Sequence, residues 1–300
     1  MSEYLPDLAA LLPSWQLALR SEGKAPGTVK TYSDGVTGFL RWAGTSSTPP
    51  QITKPTVQAW IADLLDGGAE SATAIARFKG VRQFAKWLTV EGELDEDPLL
   101  GMNRPKDDRK LVPALTDEEL RALIDACRGR TLKDRRDEAI VRFLAETGVR
   151  AGELLALSVA DVDLNRGLAV VHRGTGGKGR VVPFGPQTGA ALDRYIRIAR
   201  RELRFTDGGP LWVGAGGRTF AYHGLHEALK ARAAAAGITA FHAHRLRHTA
   251  ATRWLRAGGS EQGLMAVAGW STRAMLDRYT GASASERAAA EARSLDLGAI

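Results

Sequence analysis

Several short runs of this sequence set phosphate-seeking side chains beside groups that can move a proton. Thr147-Gly148-Val149-Arg150-Ala151-Gly152-Glu153 opens a short helix with Arg150 in its first turn. Glu153 follows three residues on, where a carboxylate can orient the guanidinium. His244 and Arg247 are also three apart, so one helix face carries both. Arginine grips phosphate oxygens in bidentate pairs. Two such forks with a lysine and a histidine make a phosphoryl-transfer site that needs no metal. The lysine is Lys178, in the glycine-rich run Gly174-Thr175-Gly176-Gly177-Lys178-Gly179. Downstream, Gly269-Trp270 precede a short helix, capped by Ser271, with Tyr279 near its C-terminal end.

Other chemistries fit these residues less well. The glycine run matches G-x-G-x-x-G, but it joins two β-rich segments instead of leading a strand into a helix, so the dinucleotide reading fails. Nor is it a P-loop, because Gly179 stands where Ser or Thr would hold Mg²⁺. His244 and His248 have metal-ligand spacing, but Arg245 occupies the place of the glutamate a zinc protease needs, and no carboxylate is local. The single cysteine, Cys127, excludes an intramolecular disulfide and a Cys-based zinc site.

The elements that must position these groups are legible from periodicity. Before residue 100 the chain reads as four helices: one around Leu8 to Leu19, one after Pro26-Gly27, one opened by Thr53-Lys54-Pro55, and one capped by Ser71. The charged, proline-bearing run 101–113 lacks periodicity and reads as a linker. Thr116 to Glu119 form a capping box, and a helix from about Arg135 ends at Gly148. Leu168–Val171 and Arg180–Phe184 form a hairpin, and the chain after Thr188 is mostly helical. The fold class is therefore mainly α with a small antiparallel sheet. On the helix after Thr188, Arg194, Arg197, Arg201 and Arg204 share one face with no acid interleaved, an expected phosphate-tracking stripe.

Composition agrees with a polyanion partner. Lys and Arg number 41 against 34 Asp and Glu, a net charge of +7. No uncharged apolar run reaches about 18 residues, so no membrane span is expected, and acidic residues near Met1 argue against a signal peptide.

Taken in order, the boxes resemble those of the tyrosine recombinases, the phage integrase family: T-G-x-R-x-x-E at Thr147–Glu153, a hairpin lysine at Lys178, H-x-L-R-H at His244–His248, Gly269-Trp270, and Tyr279 nine residues on. Thr28, Tyr32, Phe84, Trp87-Leu88 and Asp97-Pro98 extend the resemblance through the helical half. Trp270 departs from the histidine most members carry. The resemblance implies a helical, SAM-like core-binding domain over 1–104, a linker over 105–112, a catalytic domain over 113–282, and a C-terminal helix over 283–300 that docks into a neighbouring protomer. It implies a clamp around DNA without a separate arm-binding domain.

It also implies the chemistry. Arg150 and Arg247 hold the scissile phosphate, Glu153 supports them, and His244 handles protons. Lys178 protonates the leaving 5′ oxygen, Trp270 contacts the phosphate, and Tyr279 is the nucleophile. No cofactor and no metal are called for. The implied partners are duplex DNA with inverted-repeat half-sites and further copies of the chain, a tetramer on DNA, or a related recombinase. The implied location is the cytoplasm, with the nucleoid. A catalytically idle DNA-binding protein of this fold and a type IB topoisomerase are the competing readings.

Overall fold

The computed structural model describes residues 7–45, 50–106, 113–172, 179–203, 208–273, 275–276 and 293. Lys178, Arg204, Tyr279, linker residues 107–112 and all of the 283–300 tail but residue 293 lie outside them. The chain divides into two compact units, Met1–Leu111 and Val112–Ile300.

The first unit contains α1 (Leu12–Ser21), α2 (Pro26–Ala43), α3 (Lys54–Asp66) and α4 (Ser71–Val90). Their apolar stripes meet in a core of Trp15, Phe39, Trp60, Phe78, Phe84 and Leu88. Each such side chain contributes roughly 1.5–3 kcal/mol when fully buried. α2 and α4 cross closely because each offers the other a glycine. A methyl group on Gly35 would lie 2.8 Å from the Arg77 carbonyl oxygen, and one on Gly80 2.5 Å from that of Tyr32. Gly80→Val would force the pair apart. Two boundaries differ from expectation. α1 begins at Leu12 instead of Leu8, because the Asp7 carboxylate accepts from the Ala9 and Ala10 amides and holds the chain in a turn. Ser71 lies inside α4, and Glu70 takes the cap position without a side-chain bond.

In the second unit the Thr116–Glu119 capping box starts α5 (Asp117–Asp125). α6 (Leu132–Thr147) begins three residues before the expected Arg135, since Thr131 and Asp134 form a further capping box. It runs through the core on Ile140, Phe143 and Leu144 and stops at Gly148, whose φ is +62°. That left-handed turn favours glycine and delivers the chain into α7 (Ala151–Leu155). The sheet is β1 (Val162–Asp163), β2 (Leu168–Val171) and β3 (Arg180–Pro183), antiparallel in that order, with Val170 opposite Val181. β1 escaped the sequence reading because two residues carry no alternation.

α8 (Pro186–Leu203), α9 (Tyr222–Ala235), α10 (Ala243–Arg256) and α11 (Glu261–Ala268) complete the described elements. Glu146, near the end of α6, accepts the Gly185 N–H at 2.7 Å and the Thr188 hydroxyl at 2.5 Å, fixing the exit of β3 and the head of α8. Among the described residues no helix is long and apolar enough to cross a membrane.

Candidate active site

The two arginine boxes, far apart in sequence, are joined by hydrogen bonds from one arginine side chain to main-chain carbonyls. Arg247 on α10 is 3% exposed. Its Nη1 donates to the Gly148 carbonyl and its Nη2 to the Ala268 carbonyl at 2.8 Å. One guanidinium thus ties the turn before Arg150 to the end of α11, just before Gly269-Trp270. Its carbon also lies 5.3 Å from the centre of the Trp270 ring, a cation–π contact. Arg150 occupies the N-cap of α7. Its own N–H donates to Glu153 Oε2 at 2.9 Å and its Nη1 to Oε1 at 3.0 Å. The side chain of Arg150 is 29% exposed against 5% for Glu153, so the cation faces outward from a buried carboxylate.

A third arginine, missed by the sequence reading, completes the cluster. Arg180, first residue of β3, meets Glu153 as a fork: Nη1 to Oε1 at 3.1 Å and Nη2 to Oε2 at 2.7 Å. Its Nε donates to the Val267 carbonyl at 2.7 Å. Burial by itself raises the Glu153 pKa, but the Arg180 hydrogen bonds, the Arg150 N–H and the two positive charges outweigh burial and hold the carboxyl below its usual range. The signal for Arg180 was period-two alternation: it shares the inward face of β3 with buried Val182.

His244 is exposed in the first turn of α10. Its ring stands edge-on to His248, with centroids 5.1 Å apart. Burial first, then the neighbouring His244, His242 and Arg247, push the His248 pKa down to about 4, so that imidazole is neutral near neutral pH. Arg245 points the other way and donates to the Pro113 and Thr239 carbonyls at 3.1 Å each, anchoring α10. Among the described residues no three His, Cys, Asp or Glu side chains converge in the manner of a metal site. Trp270 is buried, in a cluster with Ala251, Leu255, Leu264, Ala268 and Leu276.

Lys178 and Tyr279 lie outside the described residues. Tyr195 is fully buried: its hydroxyl donates to the Leu211 carbonyl at 2.9 Å and accepts the Val213 N–H at 3.0 Å. Burial pushes its pKa up to about 12, which makes it a structural tyrosine. The arginine stripe on α8 needs correcting, because acids do interleave with it. Arg194 pairs with Glu138 of α6 at 3.0 Å, Arg197 with Asp193 one turn back at 2.9 Å, and Arg201 with Glu202 at 3.2 Å.

Residues 113–286 match the phage integrase family, and residues 12–92 match the phage integrase N-terminal SAM-like domain. The chain belongs to the phage integrase family. Among curated relatives, the tyrosine recombinase XerC of Mycobacterium sp. (strain KMS) is 33% identical over 238 residues, covering 76% of this chain and 78% of the relative. That of Mycobacterium leprae (strain TN) is 31% identical over 274 residues, covering 88% and 91%. The crystal structure of XerA recombinase superposes with a TM-score of 0.52 at 28% identity, over 91% of this chain and 93% of that one. A lambda integrase tetramer bound to a Holliday junction shares the fold, with a TM-score of 0.72 at 16% identity over 93% and 78%. The protein is thus a tyrosine site-specific recombinase, mainly helical with a small antiparallel sheet.

Proposed function

We propose that this tyrosine recombinase breaks and rejoins duplex DNA at paired half-sites through a 3′-phosphotyrosine on Tyr279. The observation that supports it best is the bracing of Arg247 between the Gly148 and Ala268 carbonyls, because it brings the Arg150, Arg247 and Trp270 boxes to one place. A tyrosine hydroxyl with an ordinary pKa of about 10 costs roughly 4 kcal/mol to ionise near neutral pH. Cations aimed at the phosphate lower that cost as charge develops. Arg150 and Arg247 hold the non-bridging oxygens while the Tyr279 oxygen bonds to phosphorus. His244, exposed beside them, exchanges the proton around the nucleophile. Lys178 gives a proton to the departing 5′ oxygen. Trp270 has one indole N–H, which can bond a phosphate oxygen but cannot exchange a proton on this timescale of chemistry. A 5′ hydroxyl from a second strand then reverses the step, with the bond energy kept in the phosphotyrosine and no metal or ATP consumed.

The same reading makes duplex DNA with inverted-repeat half-sites the substrate and a tetramer of this chain the working assembly, in the cytoplasm with the chromosome. The domain roles follow: residues 1–104 grip DNA, 105–112 link, 113–282 catalyse, and 283–300 dock on a neighbouring copy. The test is a nicked duplex whose broken strand diffuses away. The parent protein accumulates a denaturation-resistant adduct at the DNA 3′ end, while Tyr279→Phe shifts the same DNA and forms none. An adduct that persists in Tyr279→Phe, or that maps to Tyr222, overturns the assignment. A topoisomerase would instead relax supercoiled DNA lacking any paired site.

A further inference from the structure

Arg180 has no part in the chemistry proposed above, yet its guanidinium joins three elements that carry that chemistry. It starts β3, forks onto Glu153 of α7, and donates to the Val267 carbonyl at the end of α11. The chain leaves space for it. A methyl group on Gly269 would lie 3.0 Å from the Arg180 guanidinium carbon, and Gly269 has a φ of +66°. The glycine before Trp270 therefore makes the left-handed turn that ends α11 and also admits the arginine.

The charge balance shows what the fork does. Glu153 is a carboxylate with a side chain 5% exposed, and a buried charge of that kind requires a partner. Arg180, 11% exposed, supplies two parallel N–H···O bonds, whereas Arg150 supplies a single side-chain bond. One negative and two positive charges leave a net positive charge, and the more exposed Arg150 carries it toward solvent. Without Arg180, Arg150 would be the remaining arginine bonded to the carboxylate among the described residues. The carboxylate would then draw the Arg150 fork inward and neutralise it.

We propose that Arg180 is a positioning residue for strand cleavage: as the fork-paired counter-ion of Glu153, it leaves Arg150 its charge and its outward N–H groups for the scissile phosphate. This rests on the proposed reaction, in which Arg150 holds that phosphate. The role is distinct from structural anchoring because it makes Glu153 harmful once Arg180 is gone.

The experiment measures single-turnover adduct formation on the nicked duplex, with half-site affinity measured by mobility shift. Arg180→Met slows adduct formation by on the order of tenfold to a hundredfold and changes affinity only a few-fold. Adding Glu153→Gln to Arg180→Met restores the rate at least about threefold, since a neutral amide does not compete for Arg150. Simple anchoring gives the opposite sign, a second loss on top of the first. Arg180→Lys keeps the charge without the fork and gives an intermediate rate. If Arg180→Met does not fold by circular dichroism, Arg180→Lys with and without Glu153→Gln is read in the same way. A parental rate in the single variant, or a double variant no faster than the single, overturns the inference. Absence of an adduct from the parent protein would instead remove the reaction itself.

Discussion

The Arg247 guanidinium donates to the Gly148 main-chain carbonyl across 99 positions of sequence, and so a residue of α10 fixes the turn that carries Arg150. The same side chain holds the Ala268 carbonyl, which ties the α11 end to the first arginine box. An arginine reaches both carbonyls with two nitrogens of one rigid planar fork; the compact ammonium of a lysine has no such fork geometry.

Arg247→Lys therefore costs both stability and rate. Each buried carbonyl left without its donor costs about 1–3 kcal/mol. Loss of the phosphate fork lowers cleavage by on the order of a hundredfold or more. Thermal unfolding and adduct formation on the nicked duplex measure the two effects separately. Near-parental cleavage by Arg247→Lys would take Arg247 out of the phosphate site.

The pH dependence of stability carries the signature of His248. Its folded pKa of about 4 lies below the ordinary 6.5, so the unfolded chain takes up the proton first as pH falls. The stability contribution is complete above about 6.5 and is lost as pH drops toward about 4. The gap corresponds to at most roughly 3 kcal/mol. His242, also held low by burial and by Arg245 and His226, adds in the same direction. The carboxylates with lowered values, Glu153 among them, act at more acidic pH, below their ordinary 4.5 or 3.8. His248→Phe should shrink the difference in melting temperature between about pH 7 and pH 5 by several degrees. An unchanged difference would show that His248 does not drive that arm of the profile.

How much of this was legible in the sequence follows from where the information resides. The capping box at Thr116 was readable because both partners lie within one turn. Arg150 with Glu153 was readable for the same reason. Arg180 was overlooked because its partners lie 27 and 87 residues away, and its one local mark, strand alternation with Val182, says inward without saying which acid it meets. Arg194 was misread for the converse reason: its acid, Glu138, belongs to another helix, so a wheel drawn on α8 alone shows an uncompensated cation. The bracing role of Arg247 was equally hidden, since it is built on main-chain carbonyls that any sequence would provide.

Lys178 should behave as the acid for the departing oxygen. A 5′-bridging phosphorothiolate leaves without needing a proton. Lys178→Ala should be slow on ordinary DNA and largely rescued on the sulfur-bridged substrate, whereas Arg247→Lys, which acts on the non-bridging oxygens, should not be rescued. Equal defects on both substrates would remove Lys178 from that role.

The tail gives the last expectation. In the sequence Ala288, Ala289, Ala292 and Leu295 recur at the spacing of one helix face, which predicts an apolar stripe for a tail helix. The catalytic unit has a groove of about 520 Å³ lined by Leu120, Ile124, Ala145, Ala250, Trp254 and Ala257, with charges of both signs, Asp117 and Glu146 beside Arg121, Arg142 and Arg253, at its polar edge. Both surfaces carry mixed charge, with Glu286, Arg287, Glu291, Arg293 and Asp296 in the tail, so the match rests on apolar surface. Docking of one copy's tail into this groove of the next would link protomers head to tail, a contact that forms a ring when its rotation closes. Truncation after Ala282 should leave binding to a single half-site within a few-fold of the parent and weaken the paired complex much more, which mobility shifts resolve as separate bands. Ala257→Arg, at an exposed position that can take a long side chain without disturbing the core, should give the same pattern by filling the groove in an otherwise intact protein. If truncation weakens pairing and Ala257→Arg does not, the tail docks elsewhere; if neither does, the tail folds onto its own domain and the protomers are joined by other surfaces.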